Sequence, residues 1–155
     1  MTKNAAQHTE IEKRSLDAFI KLMRASESLT GRTSRIMALS NLTVSQFGVL
    51  DVLFHKGSLC QRDIAKKILK STGNITMVID NLEKRGLVHR ERDSDDRRYI
   101  TIHLTDDGML LITKVFPSVL GVIVDAMSIL EPVEQAELGR LCRMLGLNER
   151  EVPLP

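Results

Sequence analysis

Two groups of polar residues carry the chemistry that this sequence offers. Arg97 and Arg98 follow Asp93, Asp95 and Asp96 in one short charged stretch, DSDDRR. An arginine on a narrow β-hairpin can enter a DNA minor groove, where A·T segments concentrate negative potential, and a carboxylate beside it can hold the guanidinium in place. The second group lies upstream: Gln61 and Arg62, then Ser71, Thr72, Asn74, Thr76, Met77 and Lys84. Asn and Thr side chains pair with base edges or phosphates, a Met touches a thymine methyl, and Gln and Arg fix the backbone. The plainer alternative for each group is a solvated polar surface. Together they point to duplex DNA, provided that the chain sets them on a helix and a hairpin side by side.

The periodicity supplies those elements. A first helix is expected from Glu10 past Gly31 to about Met37, with Leu16, Phe19, Ile20 and Met23 on one stripe. Thr43 followed by Gln46 matches a capping box and opens a second helix that stops at Gly57. A short third helix covers Gln61 to Leu69. Ser71 or Thr72 caps a fourth, whose stripe of Ile75, Val78, Ile79 and Leu82 ends at Gly86. Burying that stripe turns Gly73, Met77, Asp80 and Lys84 outward as candidate base readers, flanked by Asn74, Thr76 and Asn81. After Gly86 the period changes to two, predicting strands over Leu87 to Arg92 and Tyr99 to Leu104. Thr105 caps a long helix to about Leu130, bent at Pro117, with Asp106 and Asp107 complementing the helix dipole. Glu131-Pro132 opens a last helix with a stripe of Leu138, Leu141, Cys142 and Leu145 that is expected to lie in the core.

Composition bounds the rest. With 155 residues, 43% hydrophobic and 27% charged, the chain has the make-up of one globular domain. The most apolar run, Val115 to Val124, is interrupted by Pro117, Ser118 and Gly121, so no membrane span is expected. The N-terminal residues lack the apolar core of a signal peptide, and two distant cysteines suit a reducing cytoplasm. Residues 1–98 hold 18 Lys/Arg against 12 Asp/Glu, whereas residues 99–155 hold 4 against 8. The basic part contains both candidate DNA-binding groups, as a polyanion-facing surface requires. An aromatic fraction of 3% argues against single-strand or RNA readers, which need stacking platforms.

The chain resembles the MarR family of bacterial transcriptional regulators. The wing matches the family pattern at Asp96, Arg98, Leu104 and Thr105, followed by Gly108, and the segments QRDIA from Gln61 and LEKRGLV from Leu82 are similar. The terminal helices match only in length and amphipathic character. The resemblance implies a mainly α fold with a small β-hairpin wing (α+β), a winged helix-turn-helix plus a helical dimerisation region. It implies an N-terminal dimerisation helix over 1–40, a DNA-binding region over 41–105 and C-terminal dimerisation helices over 106–155, intertwined in one domain. It implies a homodimer reading a palindromic operator, with Arg98 in the minor groove, Asp96 orienting it and Thr105 closing the wing onto the next helix. It also implies a repressor released by a small aromatic or phenolic ligand, for which Arg14, Arg24, Phe19, Phe47 and Phe54 are candidate contacts. The dimer has independent support. The helix after Thr105 is apolar around more than one face, at Val119, Leu120, Val122, Ile123, Val124 and Met127, more than one chain covers easily.

Cys60 departs from the pattern, because relatives place Ser or Thr there to cap the third helix. Helix N-termini favour thiolates, so Cys60 carries an alternative reading as a redox-responsive regulator. A constitutive architectural DNA-binding protein without effector, and an interaction module that keeps the winged fold without DNA readout, are the others. His8, His55, His89 and His103 show no metal-ligand spacing with one another or with the cysteines, and no glycine-rich phosphate loop occurs. No metal, no cofactor and no enzymatic activity are therefore expected.

Overall fold

The computed structural model describes residues 9–68, 72–92 and 100–147. Among them the order is α1 (Glu10–Ala38), α2 (Val44–Lys56), β1 (Leu59–Cys60), α3 (Gln61–Lys67), α4 (Thr72–Lys84), β2 (Val88–Arg92), β3 (Ile100–Leu104), α5 (Asp106–Met127) and α6 (Pro132–Leu147). The fold is mainly helical with one three-stranded antiparallel sheet, ordered β1-β3-β2. β1 has no counterpart in the sequence reading. Its two residues are too few to show a period, and only pairing with β3 makes them a strand.

Local chemistry sets the helix ends. Thr9 and Thr43 each close a capping box, with Glu12 and Gln46 respectively. Gly57 and Gly86 adopt φ of 76° and 69°, the left-handed region that stops a helix and that side chains disfavour. α5 continues through Pro117. By length and composition α5 is sufficient to cross a membrane, contrary to the expectation from its apolar run. Its first part instead buries Gly108, Ile112, Val115 and Val119 in a protein core.

The chain divides into two compact units, Met1–Val119 and Leu120–Pro155. The core belongs to the first. Val49, Leu50, Ile64, Ile75, Ile79, Leu82, Ile102 and Ile112 are fully buried there, so α2, α3, α4, the sheet and the start of α5 share one apolar centre. In the second unit the stripe expected to be core is exposed: Leu138, Leu141 and Leu145 face solvent, and so does Cys142. A helical stripe signals burial but does not say by what, and α6 does not bury this one within its own unit.

Candidate nucleic-acid interface

α3 and α4 form the helix-turn-helix. Burial of Ile75, Ile79 and Leu82 fixes the rotation of α4, and Met77 is left 62% exposed with Gly73, Asn74, Thr76, Asn81 and Lys84 also at the surface. Gln61 joins the two helices directly, its Nε2 donating to Thr76 Oγ1 at 2.6 Å. Arg62, Lys66 and Lys67 stand exposed along α3. Gln61, Arg62, Asn74, Thr76, Met77 and Lys84 are thereby brought onto one pair of adjoining helices. Thr72 is the first residue of α4. Ser71, Asp96, Arg97 and Arg98 lie outside the described residues.

Asp80 differs from the reading that turned it outward as a base reader. Its Oδ1 accepts from Arg90 Nη2 at 2.6 Å, while Arg90 Nη1 pairs with Glu83 Oε2 and the Arg90 backbone N–H donates to Glu83 Oε1 at 3.0 Å. Two carboxylates one turn apart on α4 thus grip an arginine from β2. Burial alone would lower the Arg90 pKa, but hydrogen bonds to Asp80 and Glu83 outweigh it and hold the guanidinium above its ordinary value. The clamp ties α4 to β2. Sequence reasoning missed it because the partners belong to different elements, and only the Asp-x-x-Glu spacing on α4 hints at a shared cation.

Thr105 sits at the return of the hairpin. Its hydroxyl donates to the Gly86 carbonyl at 2.6 Å and accepts from the Gly108 N–H at 3.0 Å, and its own N–H donates to the Leu87 carbonyl at 3.2 Å. One residue therefore caps α5 and fastens it to the turn before β2. At the same end of α4, Arg85 Nη1 donates to the Asn41 carbonyl at 2.7 Å, bridging to the turn after α1.

Cys60 occupies the N-cap position of α3 but makes no cap hydrogen bond; its half-buried thiol donates to Asp63 Oδ2 at 3.2 Å. Reactive thiols sit in electropositive surroundings, and this one faces an acid. Histidines distant in sequence do meet in space: the register of β2 and β3 sets His89 opposite His103, which no sequential spacing reveals. Of the candidate ligand contacts, Phe47 is core, Phe54 is half-buried against Phe116, and Phe19 is exposed on α1.

A helix-turn-helix with basic residues on one helix, a polar outward face on the next and a clamped hairpin beside them defines a winged-helix DNA-binding protein. The comparisons with known proteins name the family. A model described as MarR family matches residues 42–100. The chain is 32% identical over 138 residues to the HTH-type transcriptional regulator MhqR of Bacillus subtilis (strain 168), covering 89% of this chain and 95% of that protein. Among solved structures, BpsR of Bordetella bronchiseptica, whose DNA binding is regulated by 6-hydroxynicotinic acid, aligns with a TM-score of 0.75 and 26% identity over 84% of this chain and 98% of its own. A MarR family regulator of Streptomyces coelicolor in complex with DNA shares the fold, with a TM-score of 0.80 and 21% identity over 97% of this chain and 94% of its own. The chain belongs to the MarR family, and it is a DNA-binding transcriptional regulator.

Proposed function

We propose that the protein is a repressor that binds a palindromic operator in duplex DNA as a homodimer in the cytoplasm and is released by a small aromatic or phenolic effector. The observation that carries the DNA half of this reading is the linkage of α4 to β2 through Arg90, which makes one unit of a helix face and a hairpin. In that unit Asn74, Thr76, Met77 and Lys84 meet the major groove with Ser71 and Thr72 at the helix start, and Gln61 and Arg62 fix the register on the backbone. Arg97 and Arg98 serve the minor groove, Asp96 orients Arg98, and Thr105 anchors the return.

The dimer reading rests on exposed apolar stripes. On α1, Leu16, Phe19 and Met23 are each at least half exposed, and on α6 Val133 and Leu145 are 74% and 70% exposed. Faces of this kind call for a second copy. In this division residues 1–40 and 106–155 serve dimerisation and 41–105 bind DNA. The effector class follows the relative BpsR, which responds to a hydroxylated aromatic acid. A ligand of that class acts by favouring a dimer whose recognition helices are wrongly spaced for the two half-sites.

The test is operator binding at two salt concentrations, against a scrambled duplex, for the wild type and Arg98→Ala. A steep salt slope with strong preference for the operator is expected, and Arg98→Ala should weaken specific binding by roughly 1–3 kcal/mol while leaving the dimer intact. Wild-type affinity in that variant overturns the wing assignment.

A further inference from the structure

The sheet carries a second cluster on the face opposite the clamp. In the β2–β3 register Val88, Arg90 and Arg92 pair with Leu104, Ile102 and Ile100 on one side, which leaves His89, Glu91, Thr101 and His103 on the other. The His89 and His103 rings stack with centroids 5.0 Å apart and planes 12° from parallel. His103 Nε2 lies 3.1 Å from Glu91 Oε2, and its Nδ1 lies 2.7 Å from Ser58 Oγ. One ligand-type atom from each of His89, Glu91 and His103 falls within 4.8 Å of the other two. His89 and Glu91 are exposed and His103 is half-buried, so an ion has open access.

We propose that His89, Glu91 and His103 bind one divalent transition cation of the Zn²⁺ class, with Ser58 as a positioning residue. Bonds of about 2.0–2.1 Å to a tetrahedral ion set its ligand atoms about 3.4 Å apart. The His103–Glu91 pair is already near that spacing, and the rest is reached by rotating the exposed His89 side chain. Two imidazoles and one carboxylate favour borderline cations over Mg²⁺ or Ca²⁺, and three protein ligands leave a fourth position for water. With the ion on Nε2 the imidazole proton is on Nδ1, where the Ser58 hydroxyl, 2.7 Å away, is placed to accept it and orient the ring, as outer partners of metal-bound histidines do. The ion takes the place of the direct His103 Nε2–Glu91 contact, with the Nε2 lone pair on the metal and the imidazole proton on Nδ1. The ion cross-links β2 to β3 beside the sequence that carries Arg97 and Arg98, and the site is independent of whether that sequence reads DNA.

The experiment titrates the full-length protein, free of DNA, first with Co²⁺ and then with Zn²⁺ as competitor. Expected are one ion per chain, the visible d–d bands of four-coordinate Co²⁺ without a thiolate charge-transfer band, and their loss as Zn²⁺ displaces it. His89→Ala and the near-isosteric Glu91→Gln should each weaken binding at least about tenfold, and Ser58→Ala about 10–100-fold, with far-UV circular dichroism and metal-free melting unchanged. Three results overturn the site: no four-coordinate bands at stoichiometric Co²⁺, wild-type affinity in the His89→Ala/His103→Ala double variant, or a thiolate band that moves the ion to Cys60 or Cys142.

Discussion

The recognition helix and the first helix carry stripes of similar strength but different fates. On α4 the stripe is satisfied within the chain, since Ile75, Ile79 and Leu82 are all 0% exposed. On α1 the corresponding side chains stay in the open, with Phe19 58% and Leu16 50% exposed, and only Met37 near its end is buried. The difference separates two kinds of stability. α4 is held by its own chain, through its buried stripe and the Arg90 clamp. α1 leaves its apolar face exposed, and in the proposed function that is the face on which a second copy packs.

The sharpest way to break this comparison is to charge the α1 stripe. Leu16→Glu combined with Phe19→Glu removes side chains whose burial contributes roughly 1.5–3 kcal/mol each, counted twice by two-fold symmetry. Sedimentation velocity should show a dimer for the wild type and a monomer for the variant, with loss of two-half-site binding. An unchanged mass would remove α1 from the interface. Next in size is Ile79→Ala, which opens a cavity where nothing is exposed and should cost about 2–5 kcal/mol in urea unfolding. The same truncation at Met23 in the charged monomer should cost far less, since that side chain is 51% exposed on its own chain.

Between these extremes lies the seam where α5 meets the turn before β2. A Cβ placed on Gly108 would overlap the Leu87 carbonyl oxygen and crowd Leu104 Cδ2 at 3.2 Å. That carbonyl also accepts from the Thr105 N–H, so it is not free to retreat. Gly108→Ala should therefore destabilise by roughly 1–3 kcal/mol through overpacking, although alanine is the better helix former, and operator affinity should fall with it. A more stable Gly108→Ala variant would show that the seam is loose and that the hairpin is not held by α5.

Much of this was legible in the sequence, because the signals were local. The Thr43–Gln46 box, the glycine stops at Gly57 and Gly86 and the change of period after Gly86 each involve a few neighbouring residues whose backbone preferences agree with the fold. What stayed illegible depends on pairing. Leu59–Cys60 becomes a strand only beside β3, Asp80 turns from an outward reader into a partner of Arg90 only once β2 docks, and His89 meets His103 only through the register. Cys142 fails for another reason: its stripe is real, but α6 leaves it exposed within its own unit. Periodicity reports that a face is apolar and is silent on whose surface covers it.

Cys60 gives the smallest effect and a stabilising one. α1 and α2 both begin with a threonine whose hydroxyl accepts from the backbone N–H three residues on, at 3.2 Å in each. α3 begins with Cys60 in the same extended conformation, φ −71° and ψ 154°, yet its side chain caps nothing. A hydroxyl in place of the thiol can accept from the Asp63 N–H, so Cys60→Ser should stabilise the fold by about 0.5–1 kcal/mol. The midpoint of urea unfolding checks this at unchanged m-value. If the variant is instead less stable, the Sγ contact with Asp63 contributes more than a cap would. Labelling of the wild type at neutral pH then follows from the same geometry. The exposed Cys142 should react first and the half-buried Cys60 slowly, and the reverse order would restore a redox role at the start of α3.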